Sequence, residues 1–447
     1  MALTGIQIFK LLPKTNCGEC GVPTCLAFAM SLAAGKAELS ACPYVSEDAK
    51  AQLTEASAPP IRVVTIGVGD RVLKVGGETV MFRHEKRFEN PPGLAIIISD
   101  TMTEAEVNAR LERFRLHYER VGLILSPELI ALRGDSKDAS CFGALVSKVV
   151  QTSDANLILM SDNPDILKVG LGVSCQRRPL IYAATKDNLA AVAGLAKESN
   201  CPVAVKGMGL AEVVELTTKL TEMGIKDMVI DSGSRTVRQA FHDQVIIRSA
   251  ALNKKFRPLG FPTICFPAEM TDDPLKEALI ATMLVAKYGG IIVLSDFQGE
   301  SLFPLLVARL NIYTDPQRPL ATTEGIYEIG GPNESSPVLI TSNFSLTYFI
   351  VSGEIENSKM PSWLLVKDTE GLSVMTAWAA GKLVADTIAP FVKKCGIEGK
   401  VKHRKLVIPG YLAPESGGLE EELPGWEVLV GPREGAHIPA YLKTWKP

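Results

Sequence analysis

Residues 202–234 read PVAVKGMGLAEVVELTTKLTEMGIKDMVIDSGS, and this stretch sets the fold of the middle of the chain. Two short apolar runs, PVAVKG and DMVIDS, flank an amphipathic segment at Leu210–Met223. A continuous apolar run is typical of a strand buried on both faces, whereas the segment between them has the spacing of a helix. The order strand, helix, strand predicts a parallel βαβ unit.

The same unit repeats between residues 93 and 322. Six further apolar runs begin near Leu94 (LAIIIS), Val121 (VGLILS), Asn156 (NLILMS), Pro179 (PLIYAA), Phe261 (FPTICF) and Gly290 (GIIVLS). Eight strands that alternate with helices favour an α/β fold of the (β/α)8 TIM-barrel type. An open doubly wound sheet stays the alternative, because hydrophobic periodicity does not report whether a sheet closes.

Polar residues follow the predicted barrel strands, at the end where such barrels bind ligands. Asp162, Asn163, Asp231 and Asp296 are the best candidates for a site there. The alternative is that these residues cap the helices that follow, since Asp, Asn and Ser are the preferred N-cap residues. Capping is favoured for any single position.

Four of the nine cysteines lie near the start of the chain, in the pattern C-x2-C-x4-C-x16-C-P: Cys17, Cys20, Cys25 and Cys42, with Pro43. Four thiolates from one segment suit zinc or an iron–sulfur cluster. Three cysteines within nine residues, a final Cys-Pro and no nearby histidine favour a [4Fe–4S] cluster over zinc. The sequence starts without a secretory leader, so we expect a cytoplasmic protein with reduced thiols rather than disulfides.

Composition argues against two classes of partner. The 447 residues carry a net charge of −3 and no basic patch, which argues against nucleic acid. No stretch is long and apolar enough to suggest a membrane span. The length predicts several domains: 1–57 for the cluster, 58–92 for a linker with β-hairpins, 93–322 for the barrel and 323–447 for a small α/β domain.

The last domain predicts a second parallel sheet. Four strand-like runs include Val338, Trp363, Lys405 and Trp426, and a helix is expected from about Leu372 to Lys394. The loops after these strands should meet at one sheet edge, where open α/β sheets bind ligands.

These loops carry the candidate contacts of the last domain. They include Thr341 and Asn343, then Gly371 to Ser373 before the helix, and finally Gly431, Pro432 and Arg433. The sequence lacks the glycine-rich signatures for NAD, FAD and ATP, which leaves a flat ligand with many amides, such as a corrinoid. The alternative for any one loop is that its Gly and Pro only form turns.

The cysteine pattern and three C-terminal blocks, TSNFSLTYF, GLSVMTAWAAGK and GPREGAHIPAYLK, resemble one family over essentially the full chain. It is the large (gamma) subunit of the corrinoid iron–sulfur protein, within the acetyl-CoA decarbonylase/synthase family. The resemblance implies a [4Fe–4S] domain, a TIM barrel and a Rossmann-like corrinoid-binding domain. It implies cluster ligation by the four cysteines and corrinoid contacts at Ile340, Thr341, Leu346, Gly371, Leu372, Ser373, Val374 and Arg433.

The resemblance also implies a methyl-group carrier of the reductive acetyl-CoA (Wood–Ljungdahl) pathway, an activity of the methyltransferase type. The corrinoid cobalt would take the methyl group of methyltetrahydrofolate and pass it to acetyl-CoA synthase, while the cluster reduces inactive Co(II) to Co(I). The implied partners are a small subunit in a heterodimer, a methyltetrahydrofolate:corrinoid methyltransferase, CO dehydrogenase/acetyl-CoA synthase, and a reductive activator or ferredoxin.

Neither His403 nor His437 lies in the D-x-H-x-x-G motif with which many cobalamin domains supply a cobalt ligand. A base-off corrinoid with no protein histidine on cobalt is therefore expected. Two other functions stay open: a pterin-binding corrinoid methyltransferase with its active site in the barrel, and a reductase subunit without corrinoid.

Overall fold

The computed structural model describes residues 5–33, 37, 39–46, 48–50, 53, 59–120, 122–315 and 319–447. The chain forms two compact units: Met1–Tyr118 with Leu125–Tyr313, and Glu119–Ile124 with Thr314–Pro447. The four predicted domain ranges are a finer division and stay a prediction. Residue 58, the first of the predicted linker, and residues 316–318, near the end of the predicted barrel, lie outside the described residues.

Between residues 5 and 313 the helices and strands follow one another in the order that the βαβ pattern predicts. Of this range, Glu119–Ile124 belongs to the second unit. The helices are α1 (Gly5–Leu11), α2 (Cys25–Ala33), α3 (Glu104–Phe114), α4 (Ala139–Thr152), α5 (Pro164–Ser174), α6 (Leu189–Ser199), α7 (Leu210–Glu222), α8 (Val237–Leu252), α9 (Pro274–Ala286) and α10 (Gly299–Tyr313). The strands are β1 (Val63–Ile66), β2 (Leu73–Gly76), β3 (Gly93–Ser99), β4 (Tyr118–Arg120), β5 (Leu123–Leu125), β6 (Leu129–Arg133), β7 (Asn156–Met160), β8 (Leu180–Ala184), β9 (Val203–Lys206), β10 (Met228–Asp231), β11 (Ile264–Cys265) and β12 (Ile291–Leu294).

Eight parallel strands form a barrel in the order β10-β9-β8-β7-β6-β3-β12-β11. The ring closes where Ile230 of β10 bridges to Thr263, next to β11, and the Ile230 amide donates to the Pro262 carbonyl at 2.8 Å. The predicted α/β barrel is therefore confirmed, and the open sheet is wrong.

The second barrel strand is not the run that the sequence suggested. The strand is β6, whereas the VGLILS run contributes β5, which pairs with β4 as a separate two-stranded ribbon. Burial explains the difference, because Leu129 to Leu132 are fully buried while Leu123 and Ile124 are 39% and 74% exposed. Two apolar runs lie within twelve residues here, and periodicity alone does not choose between them.

Side chains on each barrel strand alternate between two cores, as the pleat of a strand requires. Ala95 and Ile97 point into the barrel, whereas Leu94 and Ile96 pack against the surrounding helices. The ribbon of β1 and β2 adds its own apolar side chains to the barrel interior. The segment predicted as a linker is thus part of the barrel packing.

The turn after β1 depends on a glycine. The amide of Gly67 donates to the Arg178 carbonyl at 3.1 Å, and the residue has φ +89°. A Cβ atom at this position would lie 1.9 Å from Oδ1 of Asn156, at the start of β7. Only glycine permits both the backbone conformation and the close approach.

The second unit is a three-layer α/β domain. Its strands are β13 (Gly325–Ile329), β14 (Val338–Ser342), β15 (Ser362–Lys367), β16 (Lys405–Ile408) and β17 (Glu427–Val430), in the order β13-β15-β14-β16-β17. Its helices are α11 (Ser345–Ser358), α12 (Val374–Ala379), α13 (Ala385–Cys395), α14 (Ser416–Glu422) and α15 (Ile438–Leu442). Strands β14 to β17 are parallel, and β13 runs antiparallel to β15 at the edge.

The prediction of one continuous helix from about Leu372 to Lys394 is wrong. The segment forms two helices, α12 and α13, and the chain between them passes through Gly381 with φ +69°. This left-handed residue ends α12, as glycine commonly does at the end of a helix. Among the helices that the structure describes, none has the length and apolar character to cross a membrane.

A buried ion pair fixes the segment after β2 to the barrel. Nη2 of Arg248 on α8 lies 3.1 Å from Oε2 of Glu78, and both side chains are buried. The guanidinium carbon is also 4.8 Å from the ring centroid of Phe88 and 4.5 Å from that of Tyr288. Burial raises the pKa of Glu78, and the charge of Arg248 opposes that shift.

Replacing Arg248 with Met would leave the Glu78 carboxylate buried without its cation. We expect the free energy of unfolding at neutral pH to fall by about 3–5 kcal/mol, as when one partner of a buried pair is removed. The pKa of Glu78 would rise further, so the folded chain would bind a proton more readily than the unfolded chain and gain stability as the pH falls. The deficit should therefore be smaller at pH 5 than at pH 8 in urea unfolding.

The matched control is Arg71→Met, which removes an exposed pair with Asp154. It should lower the free energy of unfolding by less than about 1 kcal/mol. An equal decrease in the free energy of unfolding in the two variants would show that the buried pair of Arg248 and Glu78 stabilises the fold no more than an exposed pair does.

Candidate functional site

The strand order of the second unit creates a crevice. β14 comes first among the four parallel strands, yet it lies between β15 and β16. The chain leaves β14 toward one side and later returns on the other side, so the loops after β14 and β16 diverge. Open α/β sheets bind ligands at this switch point, beyond the carboxyl ends of the strands.

A cavity of about 280 Å³ lies at this switch point. It is lined by Leu339, Ile340, Thr341, Thr347, Ile350, Val351, Ser373, Val374, Met375, Val407, Ile408, Pro409, Tyr411, Gly431, Pro432, Arg433, Gly435 and Ile438. Seven of the predicted contact residues are in this set: Ile340, Thr341, Ser373, Val374, Gly431, Pro432 and Arg433. Residues from two strands, three helices and the loops after β16 and β17, distant in the sequence, therefore come together here.

Four other predicted contacts do not line the cavity, and Asn343 is the most informative. Its buried Oδ1 accepts from the amide of Thr369 at 3.0 Å, from the hydroxyl of Thr369 at 2.9 Å and from the amide of Gly371 at 3.0 Å. Its Nδ2 donates to Asp368 at 2.8 Å. Asn343 thus holds the loop that leads to Ser373 instead of facing the cavity.

The remaining three have separate places. Leu346 lies half exposed on α11, and Leu372 packs against the core beneath α13. Gly371 has φ +75°, and a Cβ there would lie 3.0 Å from the Pro319 carbonyl oxygen. The glycine is needed for the turn that Asn343 holds.

Two hydroxyls beside the cavity have no partner. Oγ1 of Thr341 and Oγ of Ser342 are buried, and within the described part of the chain neither makes a hydrogen bond. A buried polar group left unsatisfied costs about 1–3 kcal/mol, so such groups are rare unless a ligand or water completes them. Thr341 lines the cavity, so its hydroxyl is placed to meet a polar group of a ligand.

Apolar residues around the cavity are unusually exposed. Ile350 on α11 and Met375 on α12 are 49% and 52% exposed, and both line the cavity. Leu346 on α11 and Val430 at the end of β17 are also half exposed. A ligand that extends beyond the cavity would cover this surface and remove it from water.

Sequence reasoning missed Tyr411, which also lines the cavity. Its hydroxyl donates to Oε1 of Glu434 at 2.9 Å. The loop that carries it was recognised, but a tyrosine in a Gly- and Pro-rich loop gives no further signal. Ile350 could have been found, because it lies one helical turn after Leu346 on the same face.

Neither candidate histidine lies among the cavity-lining residues. Both ring nitrogens of His403 are engaged by the backbone, Nε2 with the Ser336 carbonyl at 2.8 Å and Nδ1 with the Lys405 amide at 3.2 Å. The absence of a histidine ligand on cobalt stays a prediction.

Three of the four N-terminal cysteines, Cys20, Cys25 and Cys42, belong to a small separate apolar core, and Cys17 is not part of it. Cys25 and Cys42 are buried, Cys20 is half-buried and Cys17 is exposed. Among the residues described, no three Cys, His, Asp or Glu side chains lie close enough to share a metal ion. The four sulfur atoms are therefore not gathered around one point.

Several hydrogen bonds hold the backbone around these cysteines. Asn16 accepts from the Cys25 amide at 2.8 Å, and the Asn16 amide lies 3.4 Å from the Cys25 sulfur. Tyr44 donates to Glu19 at 2.8 Å, which ties the loop of the first two cysteines to the residue beside Cys42-Pro43. Amide contacts to sulfur and four thiols without a competing histidine fit an iron–sulfur cluster.

Asp231, one of the four candidate site residues of the barrel, is fully engaged by partners within the chain. Oδ2 of Asp231 accepts from the Tyr182 hydroxyl at 2.6 Å and from Arg235 at 2.9 Å, and Oδ1 accepts from the Gly233 amide at 2.8 Å. Arg235 also pairs with Glu269. Burial and the charge of Asp231 hold the pKa of Tyr182 well above its ordinary value.

The other three barrel candidates also have structural roles or remain exposed. Asn163 caps α5 by accepting from the Asp165 amide at 2.9 Å, as the capping alternative predicts. Asp296 pairs with Arg110 and Arg113. Asp162 is exposed and lies 3.9 Å from Lys206.

Comparison with known proteins gives matches along the whole chain. A family model described as CO dehydrogenase/acetyl-CoA synthase delta subunit matches residues 63–442, and one described as putative Fe-S cluster matches residues 12–44. The corrinoid/iron-sulfur protein large subunit of Moorella thermoacetica is 48% identical over 445 residues, 99% of each chain. The acetyl-CoA decarbonylase/synthase complex subunit gamma of Methanopyrus kandleri is 35% identical over 457 residues, 99% of this chain and 97% of the relative.

The first family model begins after the cysteines, whereas the matches to these two relatives, named large and gamma subunits, cover 99% of this chain. Among solved structures, a dihydropteroate synthase of Xanthomonas albilineans has a TM-score of 0.40 and 15% identity, covering 57% of this chain and 100% of that one.

Replacing Asn343 with Ala would remove the acceptor of three hydrogen bonds and leave two buried amides unsatisfied. We expect the free energy of unfolding to fall by about 2–4 kcal/mol, since each unsatisfied buried group costs about 1–3 kcal/mol. Urea unfolding measures the change. The control Asn333→Ala removes one acceptor in an exposed turn, where Oδ1 accepts from the Ser335 amide, and it should have a smaller effect. Similar effects would contradict the supporting role of Asn343.

Proposed function

The chain belongs to the family of corrinoid iron–sulfur protein large subunits and acetyl-CoA decarbonylase/synthase gamma subunits, and on that premise we propose that it carries a methyl group on a corrinoid held at the cavity of the second unit. The observation that carries the proposal is the cavity itself. It lies at the switch point of an open sheet, and Thr341 presents a buried hydroxyl without a partner.

When bound, the corrinoid would hold the methyl group on its cobalt between a methyltransferase and acetyl-CoA synthase in the reductive acetyl-CoA pathway, and a [4Fe–4S] cluster would restore the cobalt to its reduced, nucleophilic state. Cys17, Cys20, Cys25 and Cys42 would hold the cluster. The partners we propose are the small subunit in a heterodimer, the methyltransferase, CO dehydrogenase/acetyl-CoA synthase, and a reductive activator or ferredoxin.

The size of the cavity indicates which part of a corrinoid it admits. A volume of about 280 Å³ is at the lower limit for a pocket that holds one small molecule, so it takes only part of so large a ligand. We assign it to the nucleotide tail. The exposed residues Leu346, Ile350, Met375 and Val430 would then lie against the ring. A tail bound in the cavity keeps the lower base away from the cobalt, which is the base-off state.

The barrel argues against the second function, a pterin-binding methyltransferase. Such a site needs carboxylate or amide groups free to bind the pterin, but Asp231 is satisfied by Tyr182, Arg235 and Gly233. Asn163 is occupied as a helix cap. The barrel is therefore proposed as a scaffold, not an active site.

Calorimetry of the full chain with methyltetrahydrofolate tests this assignment. We expect no binding heat at micromolar protein, because Asp231, Asn163 and Asp296 are already engaged within the chain. The isolated methyltransferase partner serves as the positive control. Micromolar binding to the chain alone would favour an active site in the barrel.

Replacing Cys42 with Ala tests the role assigned to the cysteines. The variant should keep its cobalt and accept a methyl group when supplied in the reduced state, but it should fail to recover after oxidation. The optical spectrum of the corrinoid, followed after addition of reduced ferredoxin, measures recovery. Iron analysis should show a decrease in the same preparation.

Cys141→Ala is the matched control, because Cys141 is an exposed thiol on α4 far from the pattern in sequence. It should recover at the wild-type rate. Recovery of the Cys42 variant at that rate would contradict the proposed role of the cluster.

A further inference from the structure

Arg433 is a charged group at the cavity that the fold leaves without a counter-charge. It lines the cavity and is solvent-exposed, and the structure of the described residues records no hydrogen bond or ion pair for its guanidinium. Its one recorded contact is with the ring of Tyr411, whose centroid is 5.8 Å from the guanidinium carbon. Buried arginines elsewhere, such as Arg248 and Arg309, pair with carboxylates.

The backbone around Arg433 is tightly held. The Gly410 amide donates to the Pro432 carbonyl at 3.0 Å, and the Gly431 amide donates to the Ile408 carbonyl at 2.8 Å. A Cβ at Gly410 would lie 2.7 Å from the amide nitrogen of Arg433, so the two loops touch along their backbones. The backbone of Arg433 is therefore fixed in position beside the cavity, and its side chain extends from there.

Tyr411 supports the side chain. Its hydroxyl donates to Glu434 at 2.9 Å, which orients the ring under the guanidinium. An arginine on an aromatic face keeps its N–H donors free in the plane of the guanidinium, where they can bind an anion. The carboxylate of Glu434 is engaged by the tyrosine and not by Arg433.

The rest of the cavity is mainly apolar, with the unpartnered hydroxyl of Thr341. This combination suits a ligand with a flat apolar group, a few polar atoms and one anionic group at the mouth. The inference rests on the proposed function: in a complete corrinoid, the nucleotide tail has a planar base, a ribose and a phosphodiester. The corrin ring with its amides has no such anion.

We propose that Arg433, held on Tyr411, binds the phosphodiester of the nucleotide tail and so selects complete corrinoids over those that lack the tail. Arg433 is then the specificity-determining residue of the site. Arginine is suited to the role, because its planar donors match two phosphate oxygens at once. Neither the cobalt nor the methyl group takes part in this selection.

The test compares two corrinoids on the full chain. The chain is produced anaerobically in cells grown without corrinoid and titrated with hydroxocobalamin and with aquocobinamide, which lacks the phosphate, ribose and base. Dissociation constants come from the optical change or from calorimetry. The wild-type chain should bind the complete corrinoid more tightly.

In Arg433→Gln, binding of hydroxocobalamin should weaken by about 10- to 100-fold, the range for losing charge-assisted hydrogen bonds. Binding of aquocobinamide should stay within about twofold, because it lacks the anion. Arg433→Lys should fall between the wild type and the glutamine variant. The dependence of hydroxocobalamin binding on salt should also decrease in Arg433→Gln.

Arg404→Gln is the matched control. Arg404 also lies over an aromatic ring, that of Trp426 at 5.7 Å, but it is not among the cavity-lining residues. It should change neither dissociation constant. Equal weakening for both corrinoids in Arg433→Gln, or no weakening, would overturn the phosphate assignment while the corrinoid site stands. A wild-type chain that binds neither corrinoid would overturn the proposed function itself, and this inference with it.

Discussion

The position of β14 between β15 and β16 is the constraint on which the candidate site depends. Because the chain leaves β14 toward one neighbour and returns on the other side, no connection covers the carboxyl ends of these strands. The cavity lies in that gap. The loop after β15 would be free to fall into it, but Asn343 holds this loop through three accepted hydrogen bonds. The strand order thus leaves space for the cavity, and the buried side-chain amide of Asn343 keeps the neighbouring loop out of it.

Polar groups of the barrel differ from those beside the cavity in whether they have partners within the chain. In the barrel, buried charges are matched inside the chain: Asp231 by Tyr182 and Arg235, and Glu78 by Arg248. Beside the cavity of the second unit, within the described part of the chain, the buried Thr341 hydroxyl lacks a partner, and the exposed guanidinium of Arg433 lies over the ring of Tyr411. A buried unsatisfied group such as the Thr341 hydroxyl costs free energy, so it indicates where a ligand or water completes the fold. The proposal that the barrel serves as a scaffold follows from the same reasoning.

Much of the fold could be predicted from sequence, because buried parallel strands are continuous apolar runs. Two predictions are wrong where the patterns are degenerate: VGLILS predicts a barrel strand, but the strand is β6 a few residues later, and Gly381 interrupts the single helix expected from Leu372 to Lys394. The sequence indicates which loops lie near the site, but it does not indicate what each side chain in those loops does. Asn343 points into the protein and Tyr411 toward the cavity, and side-chain direction in loops has no periodicity that a sequence reveals. The positions of the four cysteines come from spacing alone, and their ligation stays a prediction.

Metal analysis of the anaerobically purified chain, together with its optical spectrum, tests the central claim most directly. The account predicts about one cobalt per chain, with a corrinoid spectrum, and about four irons, as a single [4Fe–4S] cluster requires. Zinc in place of iron, or a brown protein without cobalt, would contradict it.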